Sequence, residues 1–296
     1  MEKKDFFVMT ETGSQEAKKK TTAALVKVVN STGFPLQLGI IRRVEETVGA
    51  HGWRVLSTEH PWENQHTETT GYADIILQSN CESQMMIVEC KRMLDADWIF
   101  LCPSDKAGHE PKKWQIARTW VTQIDNGNSL RFGWDKMIIQ PIGYRSEFCG
   151  IPKMDNKATT MLERIGSELV DATEGIAWQD SELSRPAKTA LSKTFVRAYH
   201  PVIVTSAPLQ VCKFSTNDIS NNGEITACEF EEVPYLRFHK CLGGRLIDAS
   251  DSSNLREVLQ THERTVHVVN ASYLVDFLTA WEYAFPFELR GGRQYR

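Results

Sequence analysis

Tyr72-Ala73-Asp74-Ile75-Ile76-Leu77 and Met85-Met86-Ile87-Val88-Glu89-Cys90-Lys91 are two apolar runs of strand length, separated by polar residues from Ser79 to Gln84. Runs rich in Ile and Val and bounded by turn material read as the two strands of a hairpin. Folded back about that loop, Leu77 faces Met86, Ile76 faces Ile87 and Asp74 faces Glu89. Side chains alternate across a strand, so Ile87, Glu89 and Lys91 point to one face and Val88 and Cys90 to the other. Opposed residues share a face, so Asp74, Glu89 and Lys91 are expected to converge on one spot. Directly opposed like charges destabilise a sheet, and carboxylates in so apolar a strand are costly to bury unpaired. A divalent cation between them, with the lysine ammonium beside it, removes the difficulty. The hairpin is therefore expected to carry a metal site.

An Asp, a hairpin turn and then Glu-x-Lys at the end of an apolar strand resembles the PD-(D/E)XK nuclease superfamily, here as Asp74 and Glu89-Cys90-Lys91. Gly33-Phe34-Pro35-Leu36-Gln37 and Gly52-Trp53-Arg54-Val55 look like that superfamily's opening helix and first strand. The resemblance spans Gly33 to Arg92. It implies a restriction-endonuclease-like α/β fold, a mixed sheet flanked by helices, with a long insertion after the hairpin and a C-terminal extension. One domain over residues 1–296 is expected, with its core in 33–92 and 159–206, the insertion in 95–156 and an elaboration in 207–296. Related nucleases often place a carboxylate near the start of the opening helix. By register that position is Gln37 here, a departure that weakens a second metal more than the first.

The Glu-x-Lys triplet alone carries no information, because the chain has four: Glu2–Lys4, Glu16–Lys18, Glu89–Lys91 and Glu110–Lys112. Three lie in polar, Pro-containing or helix-like surroundings. Only Glu89–Lys91 ends an apolar strand with an Asp at matching register before it.

At 296 residues the chain has ample core, and its 41% hydrophobic and 24% charged composition is ordinary for a globular protein. No apolar run reaches the length of a membrane span, and the N-terminal apolar stretch is too short for a signal peptide. Seven cysteines without a C-x-x-C pair argue for a reducing, cytoplasmic setting and against a zinc cluster. The net charge of −4 means that any basic surface for nucleic acid is local, or is supplied by self-association or a basic partner.

Along the chain, Ala23 to Val29 reads as a short helix or strand packed on the domain edge. Pro35 opens a helix to His51, with Leu36, Ile40, Val44 and Val48 in one stripe and Gln37 inside its apolar arc. Trp53 to Ser57 is a strand. Glu59 to Thr70 reads as a polar connector, with His60, Glu63 and His66 on its surface. Lys112 to Ile124 reads as a basic helix with Trp114, Ala117, Val121 and Ile124 in one stripe and Lys112, Lys113 and Arg118 flanking it. Short strands follow at Lys136–Pro141 and Tyr144–Ile151, which together would make a second hairpin. Thr159 to Trp178 is an amphipathic helix and Pro201 to Ser206 a buried strand, the helix-then-strand order that the resemblance implies. Strands are expected at Leu209–Phe214, at Glu229–His239 with a break at Pro234, and at Val266–Val269. Ala271 to Tyr283 is expected as a helix, and the basic tail Arg290, Arg293 and Arg296 as a frayed end.

The function implied by the resemblance is metal-dependent hydrolysis of phosphodiesters, in DNA before RNA, in restriction, repair or defence against foreign DNA. Asp74 and Glu89 would hold Mg²⁺, with Mn²⁺ able to substitute, and the Cys90 carbonyl would add a third oxygen. Lys91 would orient the attacking water and stabilise developing charge, and Gln37 would reach the site through water. A rival from another class keeps the fold and loses the chemistry: a nucleic-acid-binding or assembly module.

Overall fold

A computed structural model describes residues 11–105, 115–125, 128–141, 143–152, 160–184, 195–242 and 262–284. Pro35 lies in the first turn of helix α2 (Phe34–Glu46), where its missing N–H costs nothing. The helix buries Gln37, Ile40 and Val44. Its stripe ends sooner than the periodicity suggests. The chain breaks at Thr47, resumes as the short α3 (Val48–His51), and stops at Gly52, whose φ of 72° is left-handed. Val48 is therefore exposed.

Three antiparallel strands follow, β1 (Trp53–Asn64), β2 (Thr69–Ser79) and β3 (Gln84–Lys91). The β2–β3 hairpin pairs Leu77 with Met86, Ile76 with Ile87 and Ile75 with Val88, the expected register. The stretch Glu59 to Thr70 is not a connector. β1 runs on to Asn64 and pairs with β2 from Trp53–Ser79 to Asn64–Thr69. It forms the edge of the sheet, the place in a sheet where a proline such as Pro61 is tolerated.

On its other side β3 pairs in parallel with β9 (Phe195–Thr205), which pairs in parallel with β13 (Glu263–Asn270). β12 (Tyr235–Cys241) and β7 (Tyr144–Ser146) complete the run β1-β2-β3-β9-β13-β12-β7. Helix α4 (Met161–Ser184) covers one face, packing Leu162, Ile165 and Leu169 against Ile76 and Ile87. Helices α2 and α5 (Leu274–Thr279) cover the other, packing Ile40, Val44 and Phe277 against Ile75, Val88 and Val204. A mixed sheet buried on both faces is what the apolar runs of β3 and β9 require.

A second sheet, β11 (Glu229–Val233), β10 (Leu209–Phe214), β4 (Trp98–Pro103) and β8 (Phe148–Gly150), draws on both the 95–156 stretch and the C-terminal third. Pro234 separates β11 from β12, as expected, and the two halves join different sheets. Lys136–Pro141 and Tyr144–Ile151 do not pair as a hairpin: the first pairs with other strands, and the second splits into β7 in the large sheet and β8 in the small one.

The expected helix over Lys112–Ile124 is replaced by a strand, β5 (Gln115–Asp125), which pairs with β6 (Asn128–Gln140) and with β9. Ala117 and Val121 fit a helical stripe and a strand face equally well. The β-branched Ile116, Thr119, Val121, Thr122 and Ile124 favour the strand. Lys112, Lys113 and Trp114 lie outside the described residues, as do Arg290, Arg293 and Arg296. The expected Ala271–Tyr283 helix is shorter too: a 3₁₀ turn and α5, then β14 (Glu282–Ala284) paired with β6. At the N-terminal side, α1 (Glu11–Ser31) is a helix that leaves Leu25, Val26, Val28 and Val29 exposed, so it does not pack on the domain edge.

Gly175 of α4 faces β1 so closely that a Cβ there would lie 2.6 Å from the Glu63 carbonyl oxygen. Alanine gains about 1 kcal/mol of helix propensity over glycine, whereas overpacking against rigid backbone costs about 1–3 kcal/mol. Gly175→Ala should therefore lower the denaturant midpoint. A midpoint at or above the wild-type value would mean that α4 seats farther from β1.

His200 of β9 is fully buried between Thr119 Oγ1 (2.9 Å) and Gln84 Oε1 (2.7 Å), with His267 of β13 and Trp281 packed beside it. Burial lowers the His200 pKa to about 3, and burial together with the neighbouring His200 and Arg237 holds that of His267 well below its ordinary value. Both are neutral in the fold and become charged on unfolding below the ordinary histidine value of 6.5. Stability from each is intact above pH 6.5 and is lost at about 1.4 kcal/mol per pH unit as the pH falls toward the folded value. Acid titration of the unfolding free energy should show this slope, and His200→Gln should flatten it by about one proton's worth. An unchanged slope in that variant would refute it.

Candidate metal centre

The hairpin ladder ends at Ile75–Val88. One step further, where Asp74 would face Glu89, the pairing gives way and Asp74 Oδ2 accepts a hydrogen bond from the Cys90 amide at 2.6 Å. That bond ties the Asp74 carboxylate to the Glu-x-Lys strand. Lys91 Nζ lies 2.5 Å from Glu89 Oε1. Asp74, Glu89 and Lys91 thus meet at one end of β3, at the border of the buried sheet.

Their electrostatics reflect that border. Burial raises the Asp74 pKa, the Cys90 amide and Lys91 partly offset it, and Glu59 adds to it. Burial raises that of Glu89 as well, with Lys91 opposing and Asp74 adding. Burial works against the Lys91 ammonium, but Glu89 and Asp74 outweigh it and its pKa rises. Cys90 points the other way, into the core under α2, where burial pushes its thiol up. Its side chain is not a ligand; only its carbonyl is available to the site.

Gln37 reaches the site directly. Its Nε2 donates to Glu59 Oε1 at 2.6 Å and to the Asp74 carbonyl at 2.9 Å. Glu59 is the residue that sequence reasoning passed over, because the chain there was read as a connector. It lies in β1 just after a register shift between Val55 and Ser57, with a φ of 48°. Bulges of this kind re-aim a side chain, and this one brings Glu59 to the amide of Gln37. A weak signal existed: Glu59 precedes Pro61 on what is an alternating, edge-type strand.

α4 brings further carboxylates. Glu168 bears on both Glu89 and Lys91. Asp171 accepts from Thr69 Oγ1 at 3.3 Å, and burial with Glu174 nearby pushes its pKa up to about 6. Asn64 Nδ2 donates to the Asp171 carbonyl and to Glu174 Oε2, at 3.4 and 3.0 Å. A cleft of about 360 Å³ opens between β2 and α4, lined by Glu89, Glu168 and Asp171 among others. Arg118, expected to flank the site on a basic helix, is half-buried on β5 with Glu263 and Asp135 near its guanidinium.

Among the described residues, no group of three His, Cys, Asp or Glu side chains is gathered closely enough to hold a metal ion. The donor set at the hairpin is two carboxylates and a backbone carbonyl, all oxygen, which suits a hard cation that keeps most of its waters. Among the described residues no single helix is long and apolar enough to cross a membrane. Comparison with protein-family models, with curated proteins and with solved structures finds no match for this chain.

Because the folded pKa of Asp74 lies above its ordinary value of 3.8, protonation favours the fold. The ionised group costs stability at neutral pH, and the cost fades as the pH falls toward 3.8. In divalent-free buffer, Asp74→Asn should therefore be more stable than wild type at pH 7, with the gap closing toward pH 4. Added Mg²⁺ should stabilise wild type and leave the variant unchanged. A variant less stable at pH 7 would show that the Cys90 amide bond outweighs the burial.

Proposed function

We propose that the chain is a divalent-cation-dependent nuclease that hydrolyses phosphodiester bonds in DNA. The observation that carries this is the convergence of Asp74, Glu89 and Lys91 at one end of β3, with Asp74 fastened to the Cys90 amide. The chain order also supports it: an opening helix, a first strand, the hairpin, then α4 and the parallel strand β9. That order is what the restriction-endonuclease-like resemblance implies.

Asp74, Glu89 and the Cys90 carbonyl would hold Mg²⁺ or Mn²⁺. When bound, such a cation polarises a phosphoryl oxygen and lowers the pKa of a bound water. The protein's own groups do the rest. Lys91, now paired with Glu89, would turn its ammonium to the charge that grows on the phosphoryl group as water attacks. Gln37 fixes the Asp74 backbone and the Glu59 carboxylate with one amide, so it positions two acidic residues at once. Glu89, Asp74 and Glu168 together keep Lys91 protonated, and Glu59 adds negative charge beside Asp74.

Gln37 also favours the rival, a nuclease-fold module without chemistry, since a neutral amide stands where related enzymes often have a carboxylate. Activity separates the two. Asp74→Ala, Glu89→Ala and Lys91→Ala should each lower Mg²⁺-dependent cleavage of linear, supercoiled or single-stranded DNA by on the order of 100-fold or more, while circular dichroism shows the fold retained. Gln37→Ala should slow cleavage without abolishing it. Cleavage that survives in all three carboxylate and lysine variants would remove the assignment, and folded wild type without activity would favour the module.

At a net charge of −4 any basic surface that meets phosphate is local. Duplex binding by the monomer should therefore be weak and shallow in salt, about three to five contacts, with tight binding waiting on self-association or a basic partner. Affinity titrated against salt, together with the mass in solution, checks this. A monomer with nanomolar affinity and a steep slope would refute it.

A further inference from the structure

Two free thiols meet on one face of the small sheet. Cys212 lies in β10, and its partner across the ladder in β11 is Phe230. Cys228 stands two residues before Phe230, so strand alternation puts it on the Cys212 face, one diagonal step away. Diagonal neighbours in a regular ladder are about 7–8 Å apart, too far for an S–S bond. Cys228, however, precedes the first residue of β11, Glu229, so the ladder does not hold it. There its thiol comes beside that of Cys212 and acts on it as a hydrogen-bonding neighbour. Both cysteines are free, Cys212 buried at 3% exposure and Cys228 exposed.

The other candidate thiols have different surroundings. Cys102 of β4 bears on Cys212 as well, but it pairs with Lys213 in the ladder. Alternation therefore turns it to the opposite face, where its thiol donates to the Arg145 carbonyl at 3.6 Å. The exposed Cys81 has the hydroxyls of Ser79 and Ser83 at 3.3 and 3.0 Å. The exposed Cys241 has the charged groups of Glu263 and Arg264 near it. Cys228 thus combines access to solvent with a second thiol on its own face.

We propose that Cys212 and Cys228 are a site of reversible oxidation by peroxide, closing to a disulfide that clamps the loop between β10 and β11. The Cys228 thiolate attacks one oxygen of hydrogen peroxide, the O–O bond breaks, and the departing hydroxide takes up the proton that Cys228 released. This step leaves a sulfenic acid on Cys228 and one water. The Cys212 sulfur then attacks the sulfenic sulfur, the S–O bond breaks, and hydroxide leaves with the Cys212 proton as a second water. Two thiols are oxidised, by two electrons in all, and one peroxide is reduced. The order of attack follows from access, since peroxide reaches the exposed sulfur first. Burial and the neighbouring Cys228 push the Cys212 thiol up to about 11, which makes it a poor first nucleophile at neutral pH. Exchange with a small dithiol returns both thiols. The loop that the bond would close is already folded on itself. The Asp218 carbonyl accepts from the Thr226 amide at 2.8 Å and from its hydroxyl at 2.7 Å, and the Ser220 amide donates to the Glu224 carbonyl at 2.8 Å. The proposal goes beyond the nuclease assignment and uses none of its residues.

The test exposes the folded full chain to a small excess of hydrogen peroxide, blocks the remaining thiols and maps the peptides without reductant. Two of the seven thiols should be lost to one bond, in a linked peptide that joins Cys212 to Cys228. Dithiothreitol should restore both. Cys212→Ser should leave Cys228 as a sulfenic acid that dimedone traps, and Cys228→Ser should leave Cys212 reduced. In the oxidised wild type, amide exchange across residues 215–227 should slow. Cys228 running on to sulfinic acid in the wild type, with no linked peptide, overturns the pair. A link between Cys102 and Cys212 overturns it as well. A Cys212–Cys228 bond equally abundant when peroxide is added in denaturant shows that the fold does not place it, and also overturns the proposal. Exchange left unchanged by the bond overturns the clamp on the loop. Mapping the wild type requires no variant to fold, and no outcome depends on DNA cleavage.

Discussion

Strand β3 is buried on both faces from Gln84 to Val88 and then has to place a carboxylate and an ammonium at its end. Everything around the candidate site follows from that constraint. Apolar side chains on alternate faces demand a helix above and a helix below, which α4 and α2 supply. Burial of this kind makes an unpaired carboxylate expensive. The protein meets the expense locally, by setting Lys91 against Glu89 and the Cys90 amide against Asp74. Charge held at the border of a packed sheet gains from low local dielectric and still reaches substrate, a combination that catalysis exploits.

The parts legible in the sequence are those in which one period dominates. The β2–β3 register follows from two Ile/Val-rich runs around a short loop, since a slip by one residue would turn every buried side chain outward. α2 and α4 follow from apolar stripes of helical period, Gly52 marks the end of the short α3, and Pro234 the break between β11 and β12. β5 was not legible, because Ala117 and Val121 serve a helix stripe and a strand face alike. What decided it is pairing with β6 and β9, a contact between segments far apart in the chain. β1 beyond Ser57 was hidden for a related reason. An edge strand that faces water reads as polar, and Pro61 mimics a loop.

The site residues divide along the same line. Asp74, Glu89 and Lys91 lie on the hairpin, so local register places them. Gln37 lies on the helix that packs over that hairpin, and the apolar arc of α2 was enough to bring it in. Glu168 and Asp171 come from α4, and the stripe that identified the helix did not say which of its polar flanks borders the hairpin. That information resides in the crossing of α4 over β1, which Gly175 permits by its missing side chain.

Glu59 shows where local strain and function meet. Four non-glycine residues among those described have positive φ: Glu59, Glu68, Glu82 and Asp95. Glu68, Glu82 and Asp95 lie outside the strands, in turns or bends where such a conformation is ordinary. Glu59 alone lies inside a paired strand, and a charged side chain at an exposed edge needs no distortion to reach water. The distortion gains something only by turning Glu59 toward Gln37, whose other bond goes to the Asp74 carbonyl. Strain of about 1–3 kcal/mol persists where surrounding contacts overdetermine it, and here one buried amide holds both acidic residues. A single glutamine of the opening helix thus ties a carboxylate of the neighbouring strand to the backbone of Asp74.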